Sequence, residues 1–140
     1  MASYVKYQEF AKTLCEGVHN LDGTDTLYVA LSNAAPTVAT DALFAHITEI
    51  STGNGYVTKG GDTLNTGSET GGTYTVVMTD KVWTASGGNI GPFRYVILFN
   101  DTPTNPADPL IAYWDYGSSI TLTTGETFTV DFGANTFTVA

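Results

Sequence analysis

The sequence predicts a single mainly β domain: an antiparallel β-sandwich of about eight strands, of the jelly-roll or immunoglobulin-like kind, with one N-terminal α-helix. Two observations predict this fold class. Short runs of alternating apolar and polar residues follow one another from residue 73 to the end of the chain, as in strands with one buried and one solvated face. Threonine occurs 24 times, while charged residues make up only 14% of the 140 residues. A β-branched side chain fits a pleated surface better than a helix.

The N-terminal segment 1–18 is predicted to form the helix. Ser3 is a candidate N-cap, and apolar residues then recur every three or four positions up to Val18, as on one face of a helix. Gly17 is the expected stop signal. Cys15 lies on the same face, so we expect a small buried side chain there and not a nucleophile.

The middle of the chain is less regular. Residues 26–32, TLYVALS, predict a strand, whereas residues 43–50 are ambiguous between strand and other structure. Residues 51–72 are rich in Gly, Thr, Asn and Ser. This composition predicts a long surface loop with little core of its own.

The last half of the chain predicts seven further strands, which complete one domain over residues 1–140. They are TYTVVMT, KVWTA, FRYVILFN, PLIAYWDY, SITLT, TFTVDF and TFTVA. Thr124-Gly125 is predicted to be a hairpin turn between SITLT and ETFTV, with the glycine at positive φ. Residues 93–99, FRYVILF, are apolar on both faces, which places this strand centrally or beneath a partner subunit.

The charge of the chain argues against nucleic acid as a direct partner. Fourteen acidic residues face five basic ones, for a net charge of −9, and a phosphate backbone would be repelled. The sequence also has no apolar run long enough for a signal peptide or for the ~20 residues that span a bilayer. We therefore expect no membrane association.

The triplet Asp131-Phe132-Gly133 matches a magnesium-binding motif of protein kinases. That motif works only with a catalytic-loop Asp, a strand Lys and a glycine-rich phosphate loop, in a much longer domain. None of these accompanies it here. We expect Asp131 to be the outward-facing residue of a strand.

Other candidate chemical residues are scattered along the chain. His19 and His46 lack a second ligand at metal-binding spacing, so a structural role is expected. Acids and amides in turns offer oxygen atoms of the kind that Ca²⁺ accepts, although the EF-hand spacing is absent and solvated turns explain them. These are Asp22, Asp25, Asn100, Asp101 and Asp108. We predict no catalytic residue, cofactor or metal, and no enzymatic activity.

A band of aromatic residues is the most informative feature. Tyr113, Trp114 and Tyr116 surround Asp115, and the strand 93–99 adds further rings. Core packing explains them equally well, but aromatic and arginine side chains are enriched in subunit contacts. The predicted interface residues are Tyr4, Tyr7, Phe10, Phe93, Arg94, Tyr95, Tyr113, Trp114 and Tyr116.

The sole arginine of the chain, Arg94, lies inside this aromatic band. If its guanidinium is buried, it should pair with a carboxylate, either Asp115 or an acid of a partner.

Four blocks of sequence resemble small structural proteins of tailed-bacteriophage virions. They are HITEISTGNGY (46–56), GPFRYVILFNDTP (91–103), DPLIAYWDYGSSITL (108–122) and GETFTVDF (125–132). The resemblance covers most of the chain and is greatest to head decoration, or capsid cement, proteins. It implies a homo-oligomer, with a trimer favoured, that binds the major capsid protein on the outer head surface and stabilises contacts between capsomers.

The same resemblance implies a location in the virion, which is assembled in the cytoplasm of the bacterial host. No catalytic residue is implied by the shared blocks. A tail or head-to-tail subunit of the tube, baseplate or fibre attachment is the alternative within this setting. A carbohydrate-binding module or small hydrolase is the alternative of another class, since the aromatic band could stack on sugars.

Overall fold

A computed structural model describes residues 2–140 and has 47% of the chain in strands and 8% in helices. The predicted fold class, a mainly β domain built from antiparallel sheets with one helix, is confirmed for these residues. The helices are α1 (Gln8–Cys15) and a short 3-10 helix (Phe44–His46). The strands are β1 (Tyr4–Lys6), β2 (Leu27–Ser32), β3 (Asp62–Thr63), β4 (Asn65–Thr70), β5 (Thr73–Met78), β6 (Lys81–Thr84), β7 (Ile90–Asn100), β8 (Leu110–Leu122), β9 (Thr127–Val130) and β10 (Phe137–Val139).

The first layer of the sandwich is a five-stranded antiparallel sheet in the order β1-β8-β7-β2-β3. Strand β7 lies at its centre, between β8 and β2, and its residues from Tyr95 onward are all buried. The central position expected from its apolar faces is therefore confirmed. Both faces of this strand are covered by other parts of the protein, so neither face needs polar side chains. This explains why the strand lacks the apolar-polar alternation of the other strands.

The second layer consists of two separate antiparallel ladders that follow one another along the chain. Strand β5 pairs with β10 and β4, and the next strand, β6, pairs with β9. Between these two ladders, the Phe132 N–H donates to the Asp80 carboxylate and the Met78 N–H donates to the Thr136 hydroxyl. The β5-β6 segment thus runs along the β9-β10 segment. Among the described residues, β9-β10 forms one edge of this layer and β4 forms the other edge of the β5 ladder.

The main core lies between the two layers. Val29 and Leu98 of the five-stranded sheet belong to the same buried cluster as Val76 of β5 and Trp83 of β6. A second cluster covers the opposite face of the five-stranded sheet, where Phe44 stacks on Phe99 with ring centroids 4.2 Å apart.

The predicted helix 1–18 is corrected at both ends. Residues Tyr4–Lys6 form β1, which pairs with β8, and the helix begins only after Tyr7 and ends at Cys15. Tyr7 occupies the N-cap position, with extended dihedral angles and no capping hydrogen bond from its side chain. Ser3, the predicted N-cap, therefore does not cap the helix. Apolar residues at positions 4 and 7 suit a helix face, but a strand partner elsewhere in the chain determines the structure of this stretch.

The predicted loop 51–72 is also corrected. It contains β3 and β4, and β4 is paired over its whole length with β5. The preceding part is held by side chains, because the Tyr56 hydroxyl donates to Glu49 and accepts from the Leu31 N–H. Segment 43–50, for which the sequence is ambiguous, contains the 3-10 helix, and none of the strands given above lies in it.

The strands of the C-terminal half match the predicted ones apart from shifts at their ends, such as β9, which stops at Val130, and apart from two larger differences. PLIAYWDY and SITLT are parts of one long strand, β8. Gly125 has φ +94°, as expected for a turn, but β8 and β9 are not hairpin partners, since β8 pairs with β7 and β1, and β9 with β6. The turn therefore carries the chain from one layer to the other.

Candidate functional site

A groove lies where the β9-β10 edge of the second layer passes β8 and β1. Its volume is about 400 Å³, and most of its lining is apolar. We call it the aromatic groove. It is lined by Ala2, Tyr4, Val96, Trp114, Tyr116, Phe128, Thr129, Val130, Asp131, Phe132, Asn135 and Thr136.

The floor of the aromatic groove is formed by one face of β8. Trp114 and Tyr116 are two positions apart and therefore point to the same side of the strand. The Trp114 ring meets the Tyr4 ring edge to face, with centroids 5.8 Å apart, and the Phe132 ring at 5.6 Å. The Tyr116 ring meets Phe128 at 5.7 Å and is 53% exposed. These rings hold each other in fixed orientations while one side stays open to solvent.

The wall of the aromatic groove is the outer edge of β9. The lining includes five consecutive residues, 128–132. Neighbouring side chains of a strand point to opposite faces, so a groove that touches five residues in succession must lie against the backbone edge. This wall therefore exposes peptide groups as well as side chains.

The hydrogen-bond pattern shows which peptide groups these are. The Ala85 N–H donates to the Glu126 carbonyl, and in an antiparallel ladder every second residue bonds to the partner strand. Phe128 and Val130 therefore bond to β6, and the N–H and C=O of Thr127 and Thr129 point away from it. Among the described residues, β9 has no strand partner on that outer side.

An ion pair shapes the strand beside the groove. The Arg94 guanidinium donates to both carboxylate oxygens of Asp115, at 2.7 and 2.9 Å, and lies 5.4 Å from the centroid of the Tyr95 ring. The hydrogen bonds from Arg94 and from the Gly117 N–H, 2.8 Å away, lower the pKa of Asp115, while the same pair raises the pKa of Arg94. The pairing expected for Arg94 is confirmed.

Strand β8 bulges next to this ion pair. Tyr95 pairs with Asp115 and Phe93 with Ile120, so β8 advances five positions while β7 advances two. The three extra residues of β8 carry Tyr116 outward into the mouth of the groove. Asp115, which bonds to the Gly117 N–H inside the bulge, holds this turn in place.

The predicted interface residues fall into two groups. Tyr7, Phe10 and Phe93 are fully buried, and Tyr95 is 8% exposed, so these side chains belong to the core of the chain and cannot form its surface. For these four the prediction is wrong, because each is packed by the fold itself. The remaining residues are half-buried or exposed. They are Tyr4, Arg94, Tyr113, Trp114 and Tyr116, of which Tyr4, Trp114 and Tyr116 meet in the aromatic groove.

Sequence reasoning missed the wall of the groove. Phe128, Val130 and Phe132 alternate with polar residues in the predicted strand TFTVDF, which indicates one buried face, and they do pack against the core. Their alternation predicts a strand but does not tell whether that strand lies at an edge. Asp131 is exposed, as expected, but it lies just after the end of β9 and not within a strand, and its carboxylate accepts from the Gly133 N–H at 2.8 Å in a local turn.

Both histidines make local structural contacts. His19 is buried, and its ring stacks on Phe10 with centroids 5.1 Å apart. The His46 ring accepts from the Ala42 N–H at 3.1 Å, next to the short 3-10 helix. No group of three or more His, Cys, Asp or Glu side chains that could hold a metal ion occurs within residues 2–140.

The acids in turns are engaged by the protein itself. Asp101 and Asp108 both contact the Lys59 ammonium, at 2.6 and 2.9 Å. Asp25 is buried and accepts from the Asn100 side chain, and Asp22 accepts from the Thr24 N–H. These contacts fold the turns around the ends of β2 and β7.

Cys15 is exposed at the end of α1, which corrects the expectation that it is buried. The helix presents Phe10 and Thr13 to the core, where Thr13 bonds to His19. A helix of eight residues offers few buried positions, and Cys15 falls outside them. Across the part of the chain that the structure describes, no helix is long and apolar enough to cross a membrane.

The chain was compared with protein-family models, with curated proteins and with solved structures, and no match was found in any of the three comparisons.

Proposed function

We propose that this protein is a non-enzymatic structural subunit of a tailed-bacteriophage virion, which decorates the outer head surface as an oligomer and stabilises contacts between capsomers. One observation carries the proposal. The blocks 108–122 and 125–132, which resemble virion proteins, contain β8 and β9, and these strands build the aromatic groove. The residues behind the resemblance thus also form an open, mostly apolar groove.

The chemistry of the groove supports a protein partner. Its rings are apolar and fixed, and Tyr116 remains half exposed. Tyrosine and tryptophan side chains that surround a concave apolar surface contribute much of the binding energy in protein contacts. A subunit that repeats many times on a lattice needs only modest affinity per copy, because the contacts add through multivalency.

The charge of the protein supports a position outside the packaged DNA. Fourteen acids against five bases give a net charge of −9, which repels phosphate and favours a partner surface with basic residues. The major capsid protein is the proposed partner, and a trimer is the proposed oligomer.

The test measures copy number and surface binding on purified particles. Particles that lack the protein are incubated with the purified chain, and bound copies are counted relative to the major capsid protein. We expect a copy number that scales with that of the capsid protein. Saturation at the much smaller number of a tail component would favour the tail or head-to-tail alternative, and no association at all would overturn a virion role.

A matched pair of variants tests whether the aromatic groove is the contact. Tyr116→Ala should weaken binding to particles about tenfold, since an exposed aromatic anchor is lost with little effect on the core. Leu64→Ala serves as the control, because Leu64 is 74% exposed and lies outside the groove. Equal binding by both variants would place the interface elsewhere on the chain.

The carbohydrate-binding alternative has one observation in its favour. The aromatic groove combines two rings, Trp114 and Tyr116, with the polar groups of Asp131 and Asn135, and sugars are bound by such combinations. Binding of soluble oligosaccharides that quenches tryptophan fluorescence, and that is lost in Tyr116→Ala, would support this alternative over the virion role.

A further inference from the structure

We propose that the aromatic groove binds an extended segment of the partner as an added β-strand on the outer edge of β9. The segment has apolar side chains at alternate positions, which enter the groove, and Lys or Arg between them. This mode of binding rests on the proposed function for the identity of the partner, the capsid protein. The position of the added strand is inferred from the groove alone and does not depend on the proposed function.

The edge of β9 offers the hydrogen bonds that an added strand needs. The N–H and C=O groups of Thr127 and Thr129 point away from β6, and no strand among residues 2–140 pairs with them. Main-chain bonds to such an edge supply affinity that does not depend on sequence. An unpaired edge beside an apolar surface also invites association, which proteins ordinarily prevent with charges or proline. β9 itself, TFTV, contains neither.

The floor of the groove supplies selectivity for side chains. Alternate residues of an added strand lie ~7 Å apart on the same face. One such face would lie over the rings of Trp114 and Tyr116, which are likewise two positions apart on β8. The groove volume of about 400 Å³ is too large for one methyl group and suits a small number of apolar side chains.

The charge of the groove and of the whole chain selects a basic segment over a second copy. Asp131 lies at the end of the β9 wall, is exposed, and has no salt-bridge partner in residues 2–140. A second copy would bring another net charge of −9 to the same site. Lys or Arg in the added strand would instead meet Asp131 and the negative field of the protein.

The test uses synthetic seven-residue peptides and the full chain. The probe alternates lysine with valine, and the comparison peptide alternates glutamate with valine. Two further lysine peptides are N-methylated at alternate residues, one at the odd and one at the even positions. An added strand pairs with β9 through every second residue, so we expect one methylated peptide to bind like the parent and the other at least tenfold more weakly. Equal binding by the two methylated peptides would overturn strand addition.

Two further readouts address the edge and the charge. Amide hydrogen exchange at Thr127 and Thr129 should slow when the lysine peptide is present, and the glutamate peptide should bind at least tenfold more weakly. Lack of protection at these amides, or equal affinity for both peptides, would contradict the proposal. Protection that grows with protein concentration when no peptide is present would show that a second copy occupies the groove, which also overturns it.

A backbone variant tests the same edge from the protein side. Thr129→Pro removes an outward N–H without removing a bond to β6, so we expect at least a tenfold loss of peptide affinity. The control is Glu69→Pro in β4. The Thr79 N–H donates to the Leu64 carbonyl, and by the same alternation the Glu69 amide points away from β5. An equal loss of peptide affinity in both variants would contradict binding at the edge of β9. If Thr129→Pro does not fold, the two methylated peptides still test whether the peptide binds as an added strand.

Failure of the proposed function and failure of this mode of binding are distinguishable. Peptides that bind β9 as expected, together with particles that do not bind the protein, would refute the virion role and leave strand addition intact. Particles that bind the protein through Tyr116, together with two methylated peptides of equal affinity, would support the virion role and refute strand addition.

Discussion

The His19 Nδ1 lies 3.1 Å from the side-chain nitrogen of Asn100, which donates a second hydrogen bond to the Asp25 carboxylate at 2.6 Å. Nδ1 must therefore accept, and the other ring nitrogen, Nε2, carries the hydrogen and donates to the Thr13 hydroxyl 3.0 Å away. The neutral ring satisfies both neighbours. This network connects α1, the turn before β2 and the end of β7.

The first prediction is that His19 makes the protein less stable as the pH falls. Burial lowers the pKa of His19 from 6.5 to about 4, against the attraction of the neighbouring Asp25. The unfolded chain thus binds a proton at a higher pH than the folded chain does. Above pH 6.5, His19 is neutral in both the folded and the unfolded chain, so its protonation does not lower the free energy of unfolding. The free energy of unfolding then falls between pH 6.5 and about 4, by at most about 3 kcal/mol.

Urea denaturation across this pH range checks the prediction. His19→Gln should lower stability at neutral pH but flatten the dependence between pH 6.5 and 4. Leu64→Ala is the control, because Leu64 is 74% exposed and carries no titratable group, so that its variant should keep the slope of the parent. The same slope in His19→Gln as in the parent would assign the acid sensitivity to the carboxylates.

The second prediction concerns the buried hydroxyl of Tyr56. It donates to a Glu49 oxygen at 2.8 Å and accepts from the Leu31 N–H at 2.9 Å. Tyr56→Phe leaves a buried N–H of β2 without a partner, so we expect the free energy of unfolding to fall by about 1–3 kcal/mol. Tyr116→Phe, at an exposed position, should cost less than about 0.5 kcal/mol. Thermal or urea unfolding measures both, and equal effects would show that water replaces the hydroxyl.

The third prediction compares two glycines with similar positive φ angles. Gly60 has φ +73° and Gly71 has φ +60°, so alanine is strained at both. A Cβ at Gly60 would also overlap the Val29 carbonyl oxygen, whereas nothing lies within 4 Å of a Cβ at Gly71. We expect Gly71→Ala to cost about 1–2 kcal/mol of stability and Gly60→Ala more than about 3 kcal/mol. Equal costs in urea unfolding would show that the loop around Gly60 can move away from β2.

The strands of the C-terminal half could be predicted because their residues alternate between apolar and polar. The central position of β7 also followed from the sequence, since a strand that is apolar on both faces must be covered on both. These are local signals, and each is complete within a few residues of the strand itself.

The remaining elements depend on contacts that no local pattern contains. Tyr4 forms a strand because it pairs with Trp114, far away in the sequence, although its spacing from Tyr7 also suits a helix. Strand β4, NTGSET, lacks apolar alternation and exists because it pairs with β5. The aromatic groove arises for the same reason, since only the order of the strands shows that β9 has an open edge beside Trp114.

The last prediction concerns the ion pair beside the bulge of β8. The Arg94 guanidinium holds the pKa of Asp115 below its usual value, and the Gly117 N–H adds to this effect. Arg94→Gln should therefore raise the pKa of Asp115 towards its usual value, because the larger cause is removed and the backbone bond remains. Global stability should change little, since both side chains are 38% exposed and water screens the pair.

Asp115→Asn should in addition speed amide exchange at Gly117, as the acceptor loses its charge. Carboxyl titration by NMR measures the first effect, with Lys12→Gln, which breaks the surface pair of Lys12 with Glu9, as the control. A pKa of Asp115 that stays the same in Arg94→Gln would mean that the hydrogen bond from the Gly117 N–H lowers it without Arg94, and that the Asp115–Gly117 bond alone keeps Tyr116 at the mouth of the groove.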